Sequence, residues 1–100
     1  MKNQIFNARA REFMQIKTPL QAVALKYPEG AEVPFITAKG KGELAKKIIE
    51  TARENNIYIE ENEALVNLLS AEEVNAAVPE EAYSALAVIF AFILEREGKA

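Results

Sequence analysis

Three short stretches hold the side chains on which any chemistry would have to rest. Lys39-Gly40-Lys41-Gly42 sets two ammonium groups among glycines just ahead of a helical pattern. In a phosphate loop such an arrangement lets backbone N–H groups close on an anion at a helix N-terminus. Glu60, Glu61 and Glu63 cluster three carboxylates, the oxygen donors that hard cations take. Lys17-Thr18-Pro19-Leu20-Gln21 joins an ammonium, a hydroxyl and a Pro-bearing turn.

None of the three reads as a reacting centre. A phosphate loop needs four residues between its glycines and a Lys-Ser/Thr pair. Here one residue separates Gly40 from Gly42, and Glu43 would repel an anion. The residues instead favour a strand-to-helix turn, with Lys39 and Lys41 available to a protein partner. The glutamates lack the ordered ligand spacing of a calcium loop, so they read as a solvated acidic run, with Asn62 as N-cap of the helix that follows. The chain contains no cysteine and no histidine. That excludes disulfides and thiol nucleophiles, and removes the usual soft-metal ligands and the usual general base near neutral pH. No catalytic residue, cofactor or metal site is assigned, and the chain is read as a non-enzyme.

The elements that carry these stretches follow from the pattern. Residues 21–27 form an apolar run without alternation, which suits a strand covered on both faces. Pro28-Glu29-Gly30 is a turn, and residues 35–39 are the next strand, with Pro34 at its entry. A helix opens at Gly42 and runs to about Asn55, with Leu44, Ala45, Ile48, Ile49 and Ala52 as its apolar stripe. Asn55-Asn56 stops it. Residues 57–59 are a short strand, and strand–helix–strand order suggests a right-handed parallel crossover. Residues 63–69 form a short helix, residues 71–78 a loop or weak turn. A last helix starts at Pro79 and runs to about Arg96, with Gly98 near its end. The fold class is α/β: a small mixed sheet of about four strands flanked by helices.

Two regions stay open at this level. Residues 1–16 read either as a segment with a short helix over 7–14 or as one with a strand over 13–16, ahead of a domain spanning 17–98. Residues 85–94 are ten consecutive apolar residues, so the last helix is apolar on every side. Leu86, Ile89, Phe90 and Ile93 make one face, which either packs between the sheet and the N-terminal segment or leaves Val88 and Phe92 on an exposed strip for a partner or a second copy.

Charge is uneven. The first 17 residues carry Lys2, Arg9, Arg11 and Lys17 against Glu12, whereas residues 60–100 carry nine glutamates against Arg96 and Lys99. An acidic second half argues against a nucleic-acid partner. Ten apolar residues are half of the roughly 20 that cross a bilayer, and no signal-peptide core is present. The chain is expected to be cytoplasmic, without membrane insertion.

AVALKY at 22–27, ITAKGKGELAKKI at 36–48, IYIEEN at 57–62 and PEEAY at 79–83, in that order, resemble the C-terminal cytoplasmic domain of the FlhB/YscU family. Its members are export-switch components of flagellar and type III secretion systems. The resemblance spans residues 17–94 and implies a free-standing copy of the cytoplasmic part, without the membrane domain. It implies a role peripheral to the export gate, docking on export-apparatus proteins or export substrates and helping to switch substrate specificity. The residues expected to dock are Lys17, Thr18, Pro19, Leu20, Gln21, Lys39 and Lys41. A fold-related binding module unconnected with secretion is the alternative.

The chain departs from the family at its hallmark. Members carry Asn-Pro-Thr-His ahead of AVALKY, and the Asn amide attacks its own backbone carbonyl to form a succinimide and release the Pro nitrogen. Here Lys17 stands at the Asn position, Thr18 at the Pro, Pro19 at the Thr and Leu20 at the His. A lysine ammonium is protonated near neutral pH and would need a larger ring, so no autocleavage is expected. Members also often have Pro-Pro where this chain has Glu63-Ala64, and Arg where it has Asn67. Contacts made there in members are not carried over.

Overall fold

The computed structural model describes residues 12–96. Four strands form one sheet in the order β3-β2-β1-β4, with β1 at Glu12–Lys17, β2 at Gln21–Lys26, β3 at Phe35–Lys41 and β4 at Tyr58–Glu61. β1 pairs antiparallel with β2 and parallel with β4, and β2 pairs antiparallel with β3. Helix α1, Gly42–Glu54, connects the two edge strands, so the expected parallel crossover passes over two intervening strands. Helix α2, Glu63–Leu69, follows β4. A 3-10 turn, Glu80–Ala82, leads into α3, Tyr83–Arg96.

The sheet is a middle layer. On one face Phe13, Val23, Leu25 and Ile36 pack with Leu65, Val66 and Leu69 of α2 and with Leu86, Ile89 and Ile93 of α3. On the other, Met14 and Ala22 pack with Ala45, Ile49 and Ala52 of α1. Coverage on both sides explains why β2 reads apolar without alternation. The helix reading over residues 7–14 lies largely outside the described residues. Its alternative is what the structure has, because residues 13–16 belong to β1, an interior strand that begins at Glu12, within the 1–16 segment. Packing of the last helix against the N-terminal segment also falls outside the described residues, as does Gly98.

Local chemistry sets the ends. Asn56 takes φ +59 just past α1, the left-handed stop that Asn tolerates. Asn62 Oδ1 accepts the Leu65 N–H at 3.1 Å and caps α2. Ala31 N–H donates to the Pro28 carbonyl at 3.0 Å, with Gly30 at φ +88, closing the β2–β3 turn.

Three expectations shift. The residues read as a strand-to-helix turn are strand as far as Lys41, and the turn contracts to Gly42 at φ +57. Leu44 leaves the core stripe of α1 and is 54% exposed. It lies over the sheet rim, where a Cβ on Gly40 would meet its Cγ at 2.6 Å, so Gly40 is what lets α1 fold back this closely. The last helix begins as a 3-10 turn after Pro79.

One core residue breaks the apolar pattern. Gln15 is fully buried, and among the described residues neither its Nε2 nor its Oε1 has a partner. An unpaired buried polar group costs about 1–3 kcal/mol. Gln15→Met, similar in volume, should therefore stabilise the chain by about 1–3 kcal/mol. Urea unfolding checks this: a raised midpoint at unchanged slope is expected, and a lowered midpoint would show that the amide has a role the apolar side chain cannot fill.

Candidate functional site

The β1–β2 hairpin builds the surface. Lys17 lies opposite Gln21, and Gln21 opposite Lys41, so three expected docking residues form one row across β1, β2 and β3. Thr18, Pro19 and Leu20 make the exposed turn beyond that row, with a cis bond between Thr18 and Pro19. The Gly42 N–H donates to the Leu20 carbonyl at 3.0 Å. This bond ties the hairpin tip to the start of α1, so Leu20 and Lys41 are held on one rim of the sheet.

The lysines divide by what they touch. Lys17 Nζ donates to Asn67 Oδ1 on α2. Lys39 Nζ donates to the carbonyls of Ser70 at 3.0 Å and Glu72 at 2.6 Å. A cation on the carbonyls beyond a helix C-terminus is favourable electrostatically, so Lys39 clamps the end of α2 to the sheet. Its neighbour across two strands is Gln15, through Val23, and Gln15 faces Glu60 on β4. Lys41 is exposed and projects from the rim.

Val88 and Phe92 are elsewhere. They are 71% and 40% exposed on α3, and the Phe92 ring lies 5.9 Å from that of Tyr58. Tyr58 is registered with Phe13 at the start of β1, about 13 Å along the strand from Lys17. The structure therefore gathers Lys17, Thr18, Pro19, Leu20, Gln21 and Lys41 at one end of the sheet and leaves the α3 strip at the other.

Residue 17 has no side-chain amide to attack its own carbonyl, and the chain has no imidazole. Among the described residues no cluster of acidic side chains is placed to hold a metal, and no helix is long and apolar enough to cross a membrane. Sequence reasoning missed Asn67 as the partner of Lys17 and the clamp made by Lys39. Only the alternate spacing of Lys39 and Lys41 hinted that both would point to the same face of β3.

The relatives agree with the geometry. Residues 19–93 match the family model described as the FlhB HrpN YscU SpaS family. The chain is 44% identical over 77 residues to the flagellar biosynthetic protein FlhB of Helicobacter pylori, which takes in 76% of this chain and 22% of that protein. It is 39% identical over 82 residues to YlqH of Bacillus subtilis, covering 80% of this chain and 88% of YlqH. It thus spans about a fifth of the FlhB relative and most of YlqH. The cytoplasmic domain of FlhB from Shewanella putrefaciens has the same fold, with a TM-score of 0.77 at 31% identity over 86% of this chain and 69% of that one. A mutated EscU C-terminal domain matches in fold, with a TM-score of 0.77 at 20% identity over 85% of this chain and 79% of that one.

Proposed function

The chain belongs to the FlhB HrpN YscU SpaS family, and on that premise we propose that it takes part in protein export through a flagellar or type III secretion apparatus. It acts there as a docking domain on the cytoplasmic side and contributes to substrate-specificity switching. Its partners are proteins of the export apparatus or the substrates they pass on.

One observation carries the reading. The hairpin that bears the family's cleaved bond is present as an exposed turn between β1 and β2, tied at Leu20 to the start of α1, but its residues are Lys17-Thr18-Pro19-Leu20. The hairpin is kept, and residue 17 lacks the side-chain amide that the succinimide chemistry needs. Both support a role by contact.

The test is capture from membrane extracts of the source bacterium on the immobilised chain, read by mass spectrometry. Export-gate proteins should be retained, and Leu20→Asp with Lys41→Glu should lower their recovery by about tenfold, a change of 1.4 kcal/mol. The α3 variant Val88→Asp should leave recovery unchanged. Equal recovery by the hairpin variant, or loss with the α3 variant alone, would move the docking surface away from the hairpin.

A further inference from the structure

β3 is an edge strand whose outer side is only half covered. Over its first residues the loop at 75–78 runs alongside. Ile36 N–H donates to the Ala76 carbonyl at 3.0 Å, Asn75 N–H to the Ile36 carbonyl at 2.7 Å, and Val78 N–H to the Pro34 carbonyl at 3.1 Å. Past Ile36 this cover stops. Among the described residues the backbone of 37–41 pairs with β2 alone. An open edge of this length, about 17 Å, is a template for one more strand.

The two sides of the edge differ. Ala38 and Gly40 face α1. Gly40 is closed off by Leu44 and Ile48, whereas Ala38 borders a groove of about 490 Å³ that Thr37, Ala24, Lys47, Ile48 and Thr51 also line. Phe13, Met14, Leu25, Ala52 and Ile57 line it too, so an incoming apolar side chain next to Ala38 meets apolar surface. Lys39 and Lys41 face the α2 side. Lys39 is engaged with the Ser70 and Glu72 carbonyls, which leaves Lys41 as the exposed cation there and Lys47 as its counterpart on the α1 side. Carboxylates flank this edge as well: Glu43 in the first turn of α1, Glu12 on β1, which lines the groove, and Glu72, whose carbonyl Lys39 holds.

A second copy is a poor occupant. Pairing β3 with β3 sets Lys39 against Lys39 in one register and Lys39 against Lys41 in another, and like charges placed opposite each other destabilise a ladder. The same lysines favour a partner with carboxylates. We propose that residues 37–41 are a β-augmentation edge that binds an extended acidic segment of another protein, with an apolar side chain entering the groove beside Ala38. This does not rest on the export reading.

The probe is a short, end-blocked peptide alternating Asp and Ile, titrated into the isotopically labelled chain and followed by backbone amide shifts. The expected result is shifts confined to residues 37–41 and to Lys47, Ile48 and Thr51, with slowed amide exchange along 37–41. N-methylation of alternate peptide amides should weaken binding by at least about tenfold, because strand addition depends on main-chain bonds. Lys41→Glu and Ala38→Phe should each weaken it by about tenfold, with thermal unfolding confirming that both variants are folded. Unmoved amides at 37–41, equal binding of the N-methylated peptide, or folded variants that bind like the parent would overturn the proposal. So would a concentration-dependent dimer shifting the same amides without peptide.

Discussion

A chain begun at Lys17 should lose its cooperative unfolding transition. Such a chain keeps the whole stretch that resembles the family, AVALKY onward, but lacks residues 12–16 of β1. That strand lies between β2 and β4, so removing it strips one ladder from each and separates the two halves of the sheet. Phe13 and Gln15 are fully buried and Met14 is 2% exposed. Losing a buried Phe is worth about 3–5 kcal/mol and a buried Met about 2–5, against a total of about 5–15 kcal/mol for a domain. Far-UV circular dichroism with urea titration makes the comparison. The intact chain should unfold in one sigmoidal step and the shortened chain should not. Phe13→Ala in the intact chain should fall between, still cooperative but lowered by about 3–5 kcal/mol. A shortened chain that unfolds at the parent midpoint would mean that β1 is dispensable.

That strand also marks the limit of what the sequence discloses. β2, β3, α1 and α2 were legible because their signals are local. An apolar run bounded by Pro-Glu-Gly, a stripe at helical spacing, and the Asn56 and Asn62 caps each need only a few neighbouring residues. The last helix was legible on one side, since Leu86, Ile89 and Ile93 are buried as expected. β1 was legible only as one of two readings, because its partners lie far along the chain and Gln15 interrupts its apolar residues. Burial on both faces also removes the alternation by which strands are recognised. The candidate site divides in the same way. The place of the turn at residues 17–20 followed from the order of the motifs, but its pairing as a hairpin did not. Lys39 as a clamp on α2 did not, because nothing local places the Ser70 and Glu72 carbonyls beside β3. Sequence reasoning treated Lys17, Lys39 and Lys41 as equivalent surface cations, and the topology gives each a different neighbour.

Restoring the family's four residues should turn this chain from uncleaved to cleaved. The parent should keep a single intact mass through prolonged incubation at neutral pH, because the side chain at position 17 is an ammonium that cannot close a five-membered ring on its own carbonyl. The quadruple variant Lys17→Asn, Thr18→Pro, Pro19→Thr and Leu20→His supplies the amide nucleophile and the Pro nitrogen as leaving group. The frame around the bond is already present: position 17 pairs with Gln21 at the end of the hairpin, and Gly42 N–H holds the carbonyl of residue 20 at 3.0 Å. Intact-mass spectrometry should then show two pieces divided after position 17. They should elute together under native conditions, because β1 remains packed between β2 and β4 once the turn is cut. The double variant Lys17→Asn, Thr18→Pro separates nucleophile from surroundings: partial cleavage would assign the reaction to the Asn-Pro pair, and none would require the restored Thr and His as well. A quadruple variant that folds, as shown by circular dichroism, yet stays intact would show that this hairpin does not hold the turn the reaction needs, and that loss of cleavage here runs deeper than four side chains.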